Sequence, residues 1–224
     1  MAIVWPLTHL TVAFTAYLFT HKVAPIGDDP SVFAFTGLVP YIMCLYPARF
    51  TSITILQNKP LLNFTVVKPI HLVMARAILE ALSAILALSL FVAALMAFGM
   101  ATPPGDIYLL AETIGAVLFF SVSFGFFGIL LIAIHPNFGT LVIVFSILGL
   151  YLSSGAVVPL TLAPAAVQEI LSYNPLFEAV GLMRCAYFSA YDVSNYSLSY
   201  IYFLGLVFTM LGLLSERLFR GIIM

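Results

Sequence analysis

Residues 47–76 read PARFTSITILQNKPLLNFTVVKPIHLVMAR, a polar and basic stretch with long apolar runs on both sides. Such a contrast is expected of a multi-span membrane protein with one substantial face in the cytoplasm. That face is where a protein of this kind takes instruction or energy from a soluble partner. The functional reading turns on whether this loop docks a partner or only connects two spans.

Composition sets the class. The chain has 224 residues, 63% of them hydrophobic and 8% charged. A soluble domain carries about a quarter charged residues, so a water-facing surface cannot be built from this composition, and the protein is expected to be integral to a membrane. The net charge of −1 says nothing about nucleic acid, but no basic tract exists that could bind it, so nucleic acid is not expected as a partner. Cys44 lies in an apolar run and Cys185 in a late polar segment, so both are expected to stay unpaired. No basic residue precedes the first apolar run and no small-residue cleavage pattern follows it, so a cleavable signal is not expected.

A helix needs about 20 apolar residues to cross the hydrocarbon core. Six candidate spans fit, at residues 2–20, 31–46, 72–100, 107–134, 139–160 and 198–214, within one transmembrane domain over 1–224. The second is short and interrupted by Pro40. His135-Pro136-Asn137-Phe138 separates the fourth from the fifth as a tight helical hairpin, broken by proline. With both termini inside, Arg49, Lys59, Lys68, Arg76, Arg217 and Arg220 face the cytoplasm, against Lys22 and Arg184 outside. The acids Asp28, Asp29, Asp106, Glu169, Glu178 and Asp192 then fall on outside loops.

The external segment at 161–197 is too long for a turn and too mixed to span. Proline opens a short helix at 164–171, Asn174-Pro175 breaks it, and a second helix runs over 176–184 with Leu176, Val180 and Met183 on one face and Glu178 on another. The pattern fits two re-entrant or interfacial helices. Irregular backbone at membrane depth is tolerated only where protein buries it or water reaches it, so the segment is a candidate lid over a pathway.

The chain lacks a GxxxxGK[ST] phosphate loop, so ATP hydrolysis by that route is not expected. His9, His21, His71 and His135 are scattered, with no metal-ligand spacing, and neither GxSxG nor HExxH occurs. Glu80 follows Arg76 by one helical turn and reads as half of a local pair. Glu112 sits near the outer end of the fourth span, at headgroup level or beside a substrate path. So few embedded charges disfavour a proton- or sodium-driven carrier; uphill transport would need energy from elsewhere. In the cytoplasmic loop at 47–71, Lys59-Pro60 and Lys68-Pro69 bracket Leu61-Leu62-Asn63-Phe64-Thr65-Val66-Val67, enough for one or two helical turns. A short surface helix there would show Phe64 and Lys68 to a partner, or would merely anchor the bend. Gly125 with Gly128, or Gly149 with Ser153, offer small-residue pairs for close helix packing.

At these residues the chain resembles a family. Trp5-Pro6, Gly37-Leu38-Val39-Pro40, Gln57-Asn58-Lys59, Leu62-Asn63-Phe64, Val67-Lys68-Pro69-Ile70, Ala75-Arg76-Ala77 and Tyr173-Asn174-Pro175-Leu176 form an ordered series along essentially the whole chain. The series resembles the permease subunit of ABC-2 type exporters of capsular polysaccharide and O-antigen. The resemblance implies an all-α bacterial inner-membrane protein, a homodimer of six-span subunits with two copies of a separate ATPase subunit. ATP and magnesium would bind that partner; this chain would carry no cofactor, no metal and no catalytic residue. It implies a coupling helix between the second and third spans, mapped here to Asn63, Phe64, Thr65, Lys68 and Pro69, and external gate helices around Tyr173, Asn174, Pro175, Leu176, Phe177, Glu178 and Arg184.

The implied activity is ATP-driven threading of a lipid-linked polysaccharide through a channel at the dimer interface. Sugar rings stack on aromatic faces, which makes Tyr17, Tyr41, Tyr46, Phe145, Tyr151 and Tyr187 candidates for lining the path, alongside Tyr173 and Phe177; interfacial aromatic belts are the plainer use of such residues. Two other readings stand beside this one: the same architecture exporting a smaller amphiphile such as a drug or lipid, and a membrane enzyme acting on lipid-linked sugars. Members of the family usually carry a basic amphipathic segment before the first span. Here Met1 falls almost at the span, so either a truncated start or the lack of that helix is expected.

Overall fold

A computed structural model describes residues 2–20, 29–157, 164–189 and 191–218. Among these the chain is all helix, in nine α-helices with two short 3-10 turns. The helices are α1 (Val4–Thr20), α2 (Pro30–Ser52), α3 (Thr54–Gln57), α4 (Pro69–Ala97), α5 (Ile107–Ile134), α6 (Pro136–Leu152), α7 (Ala165–Leu171), α8 (Pro175–Cys185) and α9 (Leu198–Leu218). Among the described residues four helices, α2, α4, α5 and one built on α9, are long and apolar enough to cross a membrane; α6 is apolar but has 17 residues. The chain is a multi-pass integral membrane protein.

Residues legible in the sequence open these helices. Asp29 Oδ1 accepts from the Ser31 N–H at 2.7 Å ahead of Pro30. Asp106 Oδ1 accepts from the Leu109 N–H at 2.9 Å. His135 Nδ1 accepts from the Phe138 N–H at 3.3 Å and closes the α5–α6 hairpin, with Pro136 supplying the first helical residue.

Helix α2 departs from its expected limits. It runs through Pro40 and Pro47 to Ser52, not stopping near Tyr46. A proline removes one N–H from the ladder and crowds the preceding turn; Pro47 thereby leaves the Met43 carbonyl without its ladder donor. At the adjacent carbonyl α5 adds a tie to this turn, the Ser121 hydroxyl donating to Cys44 at 2.6 Å. Packing against neighbouring helices is what lets proline sit inside a membrane helix. Ser121→Ala leaves that carbonyl buried without this donor. It is expected to cost about 1–2 kcal/mol, read as a lowered thermal midpoint in detergent.

The other limits shift less. Helix α4 starts at Pro69 and ends at Ala97, ahead of the expected 72–100. Helix α6 begins at Pro136 and ends at Leu152, where Ser153–Gly155 turn away with Gly155 at φ +77°; the rest of the expected span, 158–160, lies outside the described residues, as do His21, Lys22, Asp28 and Arg220.

Helix α2 is the axis of the bundle. Its residues from Val32 to Ala48 are almost all buried, with α1 and α4 on one side and α5, α6 and α8 on the other. Helix α5 in turn packs along α9. Helix α4 buries a single stripe, Val73, Ala77, Glu80, Ala84, Ala87, Phe91 and Leu95, and turns Ile78, Leu82, Ile85 and Leu86 outward. One-stripe burial with aliphatics elsewhere suits a helix facing lipid.

With no hydrophobic driving force between helices in lipid, close approach rests on small residues. A Cβ on Gly125 would stand 2.8 Å from the Ala48 carbonyl oxygen and from Thr51 Cβ, and one on Gly128 2.7 Å from Ser52 Cβ. That expected pair does bring α5 onto α2. The pair on α6 does not act this way: a Cβ on Gly149 meets nothing within 4 Å, and Ser153 serves as a hydrogen-bond partner of Asn174.

Charge divides the two ends. Arg49, Lys59, Lys68, Arg76 and Arg217 cluster at one, the basic end; Asp29, Asp106, Glu169 and Asp192 lie at the other. Arg76 and Glu80 form the expected pair at 2.7 Å, with the Glu80 side chain 1% exposed. Glu112 is exposed on α5, and Cys44 and Cys185 are free thiols.

Candidate functional site

The loop at the basic end is two-faced. Helix α3 follows α2 almost at once, and Asn58 Nδ2 donates to the Thr54 carbonyl at 2.9 Å to close it. Pro60 sits in the first turn of a 3-10 helix, Lys59–Asn63. Phe64 is extended (φ −83°, ψ 122°), as is Lys68 (φ −102°, ψ 153°), the latter because the residue before a proline is pushed out of the helical region. The expected surface helix over 61–67 is thus replaced by a 3-10 turn at Lys59–Asn63 followed by a tight turn, its Val67 N–H donating to the Phe64 carbonyl at 3.0 Å.

Ile55 and Leu62 point inward onto Val73, Phe126 and Ile129 and fasten the loop. Leu61, Phe64 and Val66 point outward, Phe64 at 64% and Val66 at 81% exposed, between the exposed Lys59 and Lys68. Asn63 and Thr65 are exposed as well, while Pro69 is buried as the first residue of α4. Beside the loop, a groove of about 180 Å³ opens toward the α5–α6 hairpin, lined by Ile55, Leu56, Lys59, Ile132 and Pro136 among others. Unpartnered large apolar side chains flanked by cations make a surface suited to a protein partner.

At the opposite end, the two expected short helices are present at Ala165–Leu171 and Pro175–Cys185. Helix α8 is buried along its length among α2, α5, α6 and α9. Asn174 starts it: Oδ1 accepts from the Leu176 N–H at 2.8 Å, while Nδ2 donates to the Leu150 carbonyl at 2.7 Å and to Ser153 Oγ at 2.9 Å. Pro175, Leu176 and Phe177 are buried with it, whereas Tyr173 is 71% exposed and its carbonyl accepts from the Tyr200 hydroxyl at 2.8 Å. Glu178 and Arg184 are both buried. The segment between α6 and α7, at 158–163, lies outside the described residues.

The aromatic candidates separate into groups. Tyr41 on α2 stacks on Tyr151 of α6 with ring centroids 4.2 Å apart. His9 of α1 lies edge-on to both Tyr41 and Tyr46, and its Nδ1 is 3.2 Å from the Tyr46 hydroxyl. Tyr17 lies against Phe33, 6.3 Å between centroids, near Arg184. Phe145 is 63% exposed on the outer face of α6, away from these rings, and Tyr187 stands edge-on to Phe35 at 5.0 Å. Tyr17, Tyr41, Tyr46 and Tyr151 therefore form a line through α1, α2 and α6, from which Phe145 is absent. Sequence reading missed His9 as a member of this line and missed every partner of Arg184 and Glu178. The one readable hint was Ser197, a cap-capable residue directly before α9.

No family model matches the chain. Two curated proteins of Escherichia coli, both named polysialic acid transport protein KpsM, are similar to it. One is 28% identical over 223 residues and the other 28% over 224, each match covering 96% of this chain and 83% of the relative. These matches bear out the resemblance of the chain to permease subunits of ABC-2 type exporters of capsular polysaccharide.

Proposed function

We propose that the chain is the membrane subunit of an ATP-driven exporter that moves a lipid-linked polysaccharide, of capsular or O-antigen type, across a bacterial inner membrane. The observation that carries this reading is the basic-end loop, fastened inward by Ile55 and Leu62 and showing Leu61, Phe64 and Val66 between Lys59 and Lys68. A connector has no need of exposed apolar groups at a cytoplasmic end; an ATPase docking point does. Asn63, Phe64, Thr65 and Lys68 form the contact, Pro69 sets the start of α4 behind it, and the groove toward Pro136 receives an apolar group of the partner. Transport proteins of polysialic acid are similar to the chain nearly end to end, which supports a polymeric sugar as cargo and a separate ATPase subunit carrying ATP and magnesium.

The six-span topology with both termini inside belongs to this reading. Helices α1 and α6, at 17 residues each, reach about 26 Å at 1.5 Å per residue, enough to span with slight local thinning. The basic end faces the cytoplasm by the positive-inside rule, and α7 and α8 serve as the external gate. A homodimer with two ATPase copies places a shared path against α1. The outward face of α1 carries Thr8, Thr11 and Thr15 between Trp5, Val12 and Phe19, unlike the aliphatic outer face of α4. A threonine face suits a path that sugar hydroxyls pass, and the tyrosine line behind it offers stacking surfaces.

The test is co-purification. The chain is co-expressed with its ATPase subunit, intact or as Phe64→Ala and Lys68→Ala. Each substitution is expected to weaken recovery of the ATPase and lower membrane-coupled hydrolysis about tenfold, the usual size of a lost interface anchor. Failure of any ATPase subunit to co-purify with the intact chain would sink the exporter reading and bring the membrane-enzyme alternative forward.

A further inference from the structure

Helix α8 carries two buried charges of opposite sign that meet neither each other nor another charged side chain among the described residues. Glu178 is 3% exposed and Arg184 is 2% exposed. Glu178 Oε2 accepts from the Ser197 N–H at 2.5 Å, and Ser197 Oγ accepts from the Tyr200 N–H at 3.2 Å. The carboxylate therefore sits on the positive end of α9, where a helix favours an anion. Arg184 does the converse. Its Nη1 donates to the Gly155 carbonyl and its Nη2 to the Ala156 carbonyl, each at 2.8 Å, just beyond the end of α6. The guanidinium lies 3.9 Å from the ring centre of Phe33 on α2.

As a stability device Arg184 is poor. Among the described residues its Nε has no hydrogen-bond partner and no carboxylate pairs with it; its one further polar neighbour there is the Tyr191 hydroxyl, 3.5 Å from Nη1. Apolar residues of matched volume generally hold such a position as well or better. What a guanidinium on carbonyls provides is exchange: when water enters, it trades carbonyls for water, whereas an apolar plug would expose its surface. That makes the contact suited to opening. Its position links it to the axis of the bundle, because Ala156 runs directly over Gly37 of α2, where a Cβ would stand 2.6 Å from the Ala156 carbonyl oxygen. A shift of α2 against this segment moves one of the two carbonyls that hold Arg184.

We infer that Glu178 and Arg184 are positioning residues that set α8 as a strut between the end of α6 and the start of α9, and that release of Arg184 from Gly155 and Ala156 opens this end of the path. The functional half rests on the exporter reading; the strut is a property of the chain alone.

Two native thiols report on it. Cys185 follows Arg184, is half-buried, and burial pushes its thiol up to about 11, so it reacts slowly while α8 is seated. Cys44 is fully buried in the middle of α2 and reacts only if the bundle comes apart. The experiment measures maleimide labelling of both in membrane fragments, where either face is reachable. Arg184→Gln removes the charge-assisted hydrogen bonds and is expected to speed Cys185 labelling about tenfold or more, with Cys44 still protected. Arg184→Lys keeps the charge but cannot bridge two carbonyls and should fall between. Glu178→Gln, whose amide oxygen still accepts from Ser197, should show the smaller rise.

Equal Cys185 rates in the wild type and Arg184→Gln would overturn the strut. So would Cys44 labelling in step with Cys185, which makes Arg184 a plain core residue. In the complex with the ATPase, ATP is expected to speed Cys185 labelling in the wild type and to add nothing in Arg184→Gln. No response to ATP in a complex that hydrolyses it overturns the role in export. Absence of any ATPase partner defeats the exporter reading instead and leaves the ATP-free comparison intact.

Discussion

Asn174→Asp is expected to destabilise the chain by about 3 kcal/mol at neutral pH, although it changes the shape of one side chain hardly at all. Asn174 is 7% exposed and uses both halves of its amide. The oxygen caps α8 at Leu176, and the nitrogen donates to the Leu150 carbonyl at 2.7 Å and to Ser153 Oγ at 2.9 Å. Aspartate preserves the cap and removes the donor. An ionised carboxylate oxygen is then pressed on a carbonyl oxygen in a dry site. Protonation relieves this, because a carboxylic acid can donate once. The folded-state pKa of the new carboxyl must therefore lie above its unfolded value of about 3.9. The penalty is complete above the folded pKa and fades as pH falls toward the unfolded one. Thermal unfolding in detergent at pH 7.5 and pH 4.5, against Asn174→Ser as a smaller polar control, reads both magnitude and sign. A variant melting like the wild type at both pH values would show that these contacts do not hold α8 to α6.

The second large effect is steric. Gly125→Leu is expected to abolish accumulation of folded protein, because even a Cβ there would meet the Ala48 carbonyl oxygen and Thr51 Cβ at 2.8 Å, and α2 is enclosed and has nowhere to withdraw. Gly125→Ala already places a Cβ closer to the Ala48 carbonyl oxygen than such atoms come, so α5 and α2 must part, and it should cost about 1–3 kcal/mol, the usual range for overpacking. Gly149→Ala is the matched control, since a Cβ there meets nothing within 4 Å. The monodisperse fraction in size-exclusion chromatography separates the three. Near-equal recovery of Gly125→Leu and Gly149→Ala would mean that the α2–α5 contact is looser than its geometry states.

Local chemistry was legible in the sequence, and tertiary chemistry was not. His135-Pro136 and Asn174-Pro175 announced helix boundaries because a cap acts within three residues of itself. The Arg76–Glu80 pair and the two short helices after α6 were readable for the same reason. Pro47 misled, because the packing that holds α2 helical through it, with the Ser121 hydroxyl of α5 on the Cys44 carbonyl, is tertiary and no local pattern points to it. Arg184 and Glu178 could be picked out as polar residues in a candidate lid. Their burial could not, since their shortest hydrogen bonds go to main-chain groups of Gly155, Ala156 and Ser197, which any sequence supplies. The candidate docking residues stood out by composition, but their backbone follows from Lys59–Asn63 closing as a 3-10 turn. The tyrosine line was half readable: the residue type suggested a sugar path, while Phe145 shared the type and faces elsewhere.

The enclosure of α2 has a consequence during biosynthesis. By hydropathy it is the least apolar of the four long helices, yet it is the one most completely surrounded by the rest of the chain. Its Thr36, Tyr46 and two interior prolines are tolerable in the finished bundle because the rest of the chain buries them. When α2 leaves the ribosome, however, α4, α5 and α8 do not yet exist, and the same residues face a translocation channel and raw bilayer. The helix that organises the mature protein is thus the least apolar of the long helices at the moment it is made, and only the later spans complete its cover.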